Sequence, residues 1–458
     1  MNLNRIDCDP GSITGTNFEQ KSKCAAHTTT CFFRPNNSPL LTNLILITMN
    51  SKIIFILVMV PFFLAGSCQK ETVPQGFVDI PLDQTSKSLL QADKIFSFDM
   101  LKAIEQAEDD QTNYMISPLS ITLALAMTLN GADGTTKEAI EDVLHVNGLS
   151  IEEINKSYEK LIIALLSIDP EVVMEIANSI WYRNTFSVLP DFLDINQTYF
   201  NAEVSALDFT DPNAKSQINQ WVSDKTHEKI TEIVDRIEPD DIMFLINAIY
   251  FKGIWTYQFE EQNTANRPFY QADGSVLGEV PTMQIKGDFK YGRTDTYEVL
   301  ELPYGTGNYS MLVLIPGTGF SCNDLIQEMD QTSWDALLNN LYVRNELEVY
   351  LPKFKFEYEK ELKDILANLG MGVAFTTGAN FSKIHPTAPL AITAVKHKTF
   401  VEVNEEGTEA AAVTSVTVSL TSIQPPNEFR ADHPFLFAIR ENSTGAIMFI
   451  GKVADPSE

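Results

Sequence analysis

After residue 85 the chain has one cysteine, Cys322, so no disulfide can form there and the fold must rest on a packed core. Cys322 is expected in a loop before a helix, with no chemical role. Positive charge is also short. Lys and Arg number 33 against 61 Asp and Glu, a net charge of -28, and no basic run escapes that average. Partners that require a cationic surface, such as nucleic acids, heparin-like polymers and anionic lipids, are therefore disfavoured. Catalytic patterns are missing too. No serine has glycines two places to either side, and no histidine pair stands at the helical spacing that binds zinc. Gly305-Thr306-Gly307, Gly317-Thr318-Gly319 and Gly370-Met371-Gly372 each lack the third glycine of a dinucleotide loop and read as turns. Neither an enzyme nor a metal or cofactor is expected.

What is present is substantial. With 458 residues, 44% of them hydrophobic and 10% aromatic, the chain has the composition of a folded protein with a large core. The most informative stretch runs from Glu405 to Ile423. After Glu409 it has no charge, proline or glycine, and it ends at Gln424-Pro425-Pro426-Asn427, which is loop chemistry. Read with the period of a strand, one face carries Thr408, Ala410, Ala412, Thr414, Val416, Val418 and Leu420, a set that can be buried without stranding a charge. Periodicity by itself favours a permanent strand. Strand composition in a loop-like setting also fits a segment built to change state.

Near the amino terminus, Met49-Asn50-Ser51-Lys52 precedes the apolar run Ile53 to Gly66, which is shorter than the ~20 residues of a spanning helix. This is the pattern of a secretory signal peptide. Leu64-Ala65-Gly66-Ser67-Cys68-Gln69 resembles the lipobox of bacterial lipoproteins, which implies lipidation at Cys68, although the family has Leu where Ala65 stands. The expected organisation is residues 1–48 as a misassigned leader, 49–67 as signal peptide, 68–85 as a polar tether and 86–458 as one domain. Ordinary signal cleavage, giving a soluble secreted or periplasmic protein, is the alternative to an envelope lipoprotein, and a single span over residues 40–66 competes with both.

The spacing predicts helices over 86–107, 117–130, 136–144, 151–167, 189–201, 214–227 and 359–369. Ser117-Pro118 is a good helix start, because Ser can cap free amides and proline suits the first turn. Strands are predicted over 172–182, 243–255, 298–303, 310–316, 347–356, 392–403, 434–440 and 446–453. No internal repeat or linker divides them, so the expectation is one mixed α+β domain.

These residues also carry a family resemblance. Asn113 to Ile121, Gly131 to Thr136, Ile246 to Trp255, Leu351-Pro352-Lys353-Phe354, Asn404 to Ala412 and Ala431 to Phe435 together resemble the serpins, in that family's order and spacing. The resemblance implies a large mixed sheet with surrounding helices and a mobile reactive-centre loop. It also implies a monomeric suicide-substrate inhibitor of serine, or cysteine, endopeptidases that traps an acyl-enzyme by inserting the cleaved loop into the sheet. Glu405, Glu406, Gly407 and Thr408 match the family's hinge, and Ala410, Ala411 and Ala412 its small inserting segment. Ser117, Ser120, Asn247 and His397 align with the shutter, and Trp255 with the breach. Family spacing puts the scissile bond at Thr421-Ser422. With no basic residue in Leu420-Thr421-Ser422-Ile423, an elastase-like or subtilisin-like target is expected, and cleavage after Leu420 would favour a chymotrypsin-like one. The competing expectation is a non-inhibitory serpin acting as a surface binding or structural lipoprotein.

Overall fold

A computed structural model of the chain describes residues 76–408 and 427–457. All lie within the unit spanning Lys70–Glu458. The chain runs through α1 (Gln84–Ala107), β1 (Tyr114–Ile116), α2 (Pro118–Leu129), α3 (Gly134–Val143), α4 (Ile151–Leu165), β2 (Val172–Arg183), α5 (Pro190–Phe200), β3 (Glu203–Leu207) and α6 (Ala214–Lys225). It continues with β4 (Met243–Ile254), β5 (Ala265–Tyr270), β6 (Val276–Arg293), β7 (Tyr297–Tyr304), β8 (Tyr309–Pro316), α7 (Cys322–Glu328), α8 (Gln331–Asn339), β9 (Tyr342–Pro352) and β10 (Phe354–Glu361). The last elements are α9 (Lys363–Leu366), β11 (Lys396–Val403), β12 (Gly407–Thr408), β13 (Glu428–Arg430), β14 (Phe435–Glu441) and β15 (Ile447–Val453).

Two sheets organise the domain. One has nine strands, in the order β1-β15-β14-β8-β7-β6-β9-β13 with β5 alongside β6. The other has six, in the order β10-β11-β12-β4-β2-β3. Between them lies the main core, and α2 sits in it against β4 and β15. Its sequence is apolar on all sides, as a buried helix requires. Ser117 caps it by accepting from the Ser120 amide, with Pro118 in the first turn, as the sequence predicts. The opposite face of the six-stranded sheet is covered by α6 and the chain after it, through a second cluster of Trp181, Trp221, Ile218, Val222, Ile230 and Ile246.

Several elements differ from expectation. Residues 359–361 continue β10, which pairs with β11 as far as Glu361 opposite Lys396, and the helix starts at Lys363, α-helical to Leu366 and continued by a π turn over Ala367–Met371. Charged side chains pair across these strands, with Lys398 Nζ 3.3 Å from Glu357 and 3.5 Å from Glu359. Sheet pairing thus outweighs a modest helix propensity. Cys322 is the first residue of α7 rather than part of a loop, and burial pushes its thiol up to about 12, where it stays protonated. The stretch read as a tether is docked from Val78 onward: Val78 and the Asn308 side chain exchange hydrogen bonds of 3.2 and 2.6 Å, and Ser443 Oγ accepts from the Ile80 amide.

Where α1, β1 and β15 meet, Lys452 Nζ lies 2.9 Å from Glu105, which also accepts from the Tyr114 hydroxyl at 2.7 Å. Both charged side chains are almost solvent-free, at 2% and 4% exposure. Replacing Lys452 by Met leaves a buried carboxylate without its cation. The expected loss is about 3–5 kcal/mol, read as a lower midpoint of urea unfolding.

Candidate functional site: a wedge in the six-stranded sheet

At Val403 the chain leaves β11, reverses in a tight turn and re-enters the same sheet as β12. Asn404 makes the turn: its Oδ1 accepts from the amides of Glu406 and Gly407 at 3.1 and 3.4 Å, and its own amide donates to Gly407 O at 3.0 Å. Gly407 and Thr408 then lie between β11 and β4, with Thr408 opposite Val403 on one side and Gly253 on the other. The entry admits glycine only, because a Cβ at position 407 would sit 2.0 Å from the Gly253 carbonyl oxygen. Gly253 is constrained in turn, since a Cβ there would meet the Tyr304 ring at 2.8 Å.

Aromatic packing fixes the wedge. Trp255 stacks on Tyr304 with ring centres 4.4 Å apart, and its amide and indole N–H donate to Glu406 O and Asn404 O at 2.7 and 3.0 Å. The Tyr304 hydroxyl meets Thr408 Oγ1 at 2.7 Å. The two glutamates of the turn have opposite environments. Burial pushes the Glu405 carboxyl up, but Lys353 at 2.8 Å and the Thr264 hydroxyl at 2.7 Å outweigh it and hold the group below its usual value. Glu406 is held above its usual value by burial and by the charge of Glu261, and its Oε2 has no hydrogen-bond partner.

Below the wedge, β4 and β11 have no residues in register with each other, so β12 is their link among the described residues. A narrow cleft lies between them. Thr408 lies at one edge, Ile249 to Phe251 and Phe400 to Glu402 form its two lips, and Met115, Ile439 and Phe449 form its floor. Since alternate residues of a strand face opposite ways, a lining that includes both Tyr250 and Phe251 shows that the cleft passes through the sheet.

The structure brings some of the expected shutter residues together and leaves one apart. His397 Nε2 accepts from the Ser117 amide at 3.1 Å, Ser117 Oγ donates to Met448 O at 2.7 Å, and Ser120 follows in the same cap. Asn247 instead donates to Asn178 Oδ1 at 2.7 Å, and its own Oδ1 is buried without a partner. Ala410, Ala411, Ala412, Thr421, Ser422 and Cys68 lie outside the described residues. Sequence reasoning missed Tyr304, Asn404, Gly253, Lys353 and Asn178. Asn404, Gly253 and Lys353 stand inside recognised blocks, but the partners Trp255, Tyr304 and Glu405 that they meet come from elsewhere in the chain.

Two sheets enclosing a core, with a chain segment wedged between two strands of one of them above a cleft, define the class of protein. The comparisons identify that class. Residues 91–456 match the family model described as serpin (serine protease inhibitor). A serpin-like protein of Methanosarcina acetivorans is 35% identical over 372 residues, covering 80% of this chain and 85% of the relative. The leukocyte elastase inhibitor of Equus caballus is 33% identical, covering 81% of this chain and all of the relative. The native-state structure of tengpin, a thermophilic serpin, superposes with a TM-score of 0.74 at 33% identity, over 83% of this chain and 97% of tengpin. The chain belongs to the serpin family, a family of serine protease inhibitors rather than enzymes, some of whose members carry an inhibitor's name, as the leukocyte elastase inhibitor does.

His397 gives the site a pH dependence. Burial lowers its pKa to about 4 from 6.5. The unfolded chain therefore takes up this proton as pH falls below 6.5, while the folded chain resists until about pH 4. Its contribution is intact above pH 6.5 and is lost as pH falls through that window, by about 3 kcal/mol in total. His397→Gln is expected to flatten this part of the stability curve between pH 6.5 and 4, measured by urea unfolding at a series of pH values.

Proposed function

We propose that this chain is a suicide-substrate inhibitor of serine endopeptidases with elastase-like or subtilisin-like specificity. One observation carries the reading: the loop's first residues, Gly407 and Thr408, are already lodged as a strand above a cleft that continues between the same two neighbours. The sequence that follows can extend that strand, because from Ala410 to Ile423 it has no charge, proline or glycine. The leukocyte elastase inhibitor among the relatives supports the choice of target class.

In this reading the protease serine Oγ attacks the Thr421 carbonyl, the Thr421-Ser422 amide bond breaks, and the amine of Ser422 leaves. The protease is then esterified to Thr421. Freed at one end, the loop enters the cleft and carries the tethered protease with it, so that its active site is distorted before water can hydrolyse the ester. The driving force is the free energy stored in a sheet that is missing a strand, which makes the uncleaved protein kinetically trapped.

Incubation with an elastase-like serine protease is expected to give a complex that survives denaturing electrophoresis, together with a released peptide whose mass starts at Ser422. Thr408→Arg puts a long cation where a buried hydroxyl meets Tyr304, and should convert the inhibitor into a plain substrate. Cleavage of the parent chain without any complex would sink the proposal.

We further propose that the inhibitor is held at the cell envelope by a lipid on Cys68, on the strength of the Leu64 to Gln69 pattern. Cells expressing the chain and fed a labelled fatty acid should label it, and Cys68→Ser should abolish the label. An unlabelled, fully secreted product would leave signal cleavage without lipidation.

A further inference from the structure

The turn that follows α6 crosses the outer mouth of the cleft, and its construction gives it a second role. Its residues Thr226, Lys229 and Ile230 line the cleft directly. The backbone is unusual, because His227 and Glu228 are consecutive non-glycine residues in the left-handed region, at φ 49° and 63°. Such a pair persists only when its surroundings determine it. Here they do. Thr226 Oγ1 donates to Val222 O at 2.8 Å and accepts from the Ile230 amide at 3.1 Å, while the amides of Glu228 and Lys229 donate to Ser223 O and Thr226 O at 2.8 and 2.9 Å.

The held turn directs two side chains to opposite lips of the cleft. His227 reaches one lip: its Nε2 lies 3.1 Å from Glu175 of β2, and its ring packs on Tyr250 of β4 with centres 4.4 Å apart. Lys229 reaches the other, with Nζ 4.9 Å from the centre of the Phe400 ring and 3.8 Å from Glu402, both on β11. Extending β12 past Thr408 requires β4 and β11 to stand two strand spacings apart along the cleft, each spacing being about 4.8 Å. A two-residue grip on both lips opposes that separation.

We propose that the Thr226–Ile230 turn is a clasp across the cleft, and that the contacts of His227 and Lys229 with opposite lips set the rate at which the loop enters the sheet. The proposal rests on the inhibitory reading, since it concerns the rate of the same insertion. It gives the turn control over an outcome: while the ester awaits either insertion or water, a tighter clasp favours hydrolysis and a looser one favours trapping. The looser clasp also lets the uncleaved loop insert sooner, which removes active inhibitor.

Lys355 provides an internal control. Its Nζ also pairs with Glu402, at 3.3 Å, but it stands on β10, the neighbour of β11 on the same side of the cleft, so it bridges nothing that must separate. The test uses the full chain and the variants Lys229→Gln, His227→Asn and Lys355→Gln. All three side chains are at least 31% exposed, and Asn tolerates the left-handed backbone at position 227. Protein cut in the loop by a non-target protease and uncut protein kept at raised temperature are both followed on urea-gradient gels, where the inserted form resists unfolding. Lys229→Gln and His227→Asn should each speed conversion about threefold, the size expected from one exposed pair, and Lys355→Gln should leave it unchanged. Equal rates in all variants, or an equal acceleration by Lys355→Gln, would overturn the clasp and leave the inhibitory reading standing. A parent chain that never converts, even after cleavage, would overturn both.

Discussion

The placement of Gly407 and Thr408 between β11 and β4 is the constraint on which the rest of this structure depends. A sheet that accepts two residues of a strand at one end must hold its neighbouring strands apart there, and they do not come back into register below. Among the described residues, β4 and β11 are not paired with each other below Thr408. In the inhibitory reading, each further residue of loop added to the wedge would pair with both neighbours once they stand apart. The protein thus carries a template for one more strand together with the segment whose composition suits it.

The wedge is held by groups that treat its two glutamates differently. Glu405 is pinned from outside by Lys353 and Thr264, so the start of the turn is anchored to β5 and β9 surroundings that have no reason to move with the loop. Glu406 is buried with one carboxylate oxygen unpaired and with Glu261 nearby, an arrangement that raises the free energy of the parked turn. The stacked pair of Trp255 and Tyr304 compensates on the other side of the chain, closing over Asn404 and Thr408. A firm anchor beside a strained residue is a sensible design for a pivot, because it confines motion to the residues after Gly407.

Much of this was legible before the fold. The blocks around Ser117, Asn247, Leu351, Gly407 and His433 identified the family, and the Ser117-Pro118 helix start and most strands follow from capping chemistry and hydrophobic period. What stayed hidden depends on long-range geometry. Residues 359–361 read as the first turn of a helix, and nothing local reveals that β11 will pair with them. Tyr304 looks like an ordinary strand-end aromatic until the fold brings Trp255 and Thr408 to it. Asn247 matches the shutter by position, yet its bond to Asn178 rather than to His397 is a property of how far β4 stands from β11. The cleft itself has no sequence signature, being a relation between two strands about 150 residues apart along the chain, β4 and β11.

Charge is distributed in a way that suits a sheet required to open. Buried polar groups of the six-stranded sheet include Asn178, Asn247, His397, Thr399 and Thr408, and His397 is uncharged at neutral pH because burial lowers it to about 4. Parting such groups leaves, at worst, unsatisfied neutral donors or acceptors, at about 1–3 kcal/mol each. Parting a buried ion pair costs more, since it strands a charge. The two best-buried ion pairs, Glu105 with Lys452 and Glu301 with Arg440, are both placed elsewhere, joining α1 to β15 and β7 to β14. Those elements belong to the nine-stranded sheet and its covering helix, which have no strand to accept. The best-buried ion pairs among the described residues thus lie outside the sheet that the inhibitory reading requires to open.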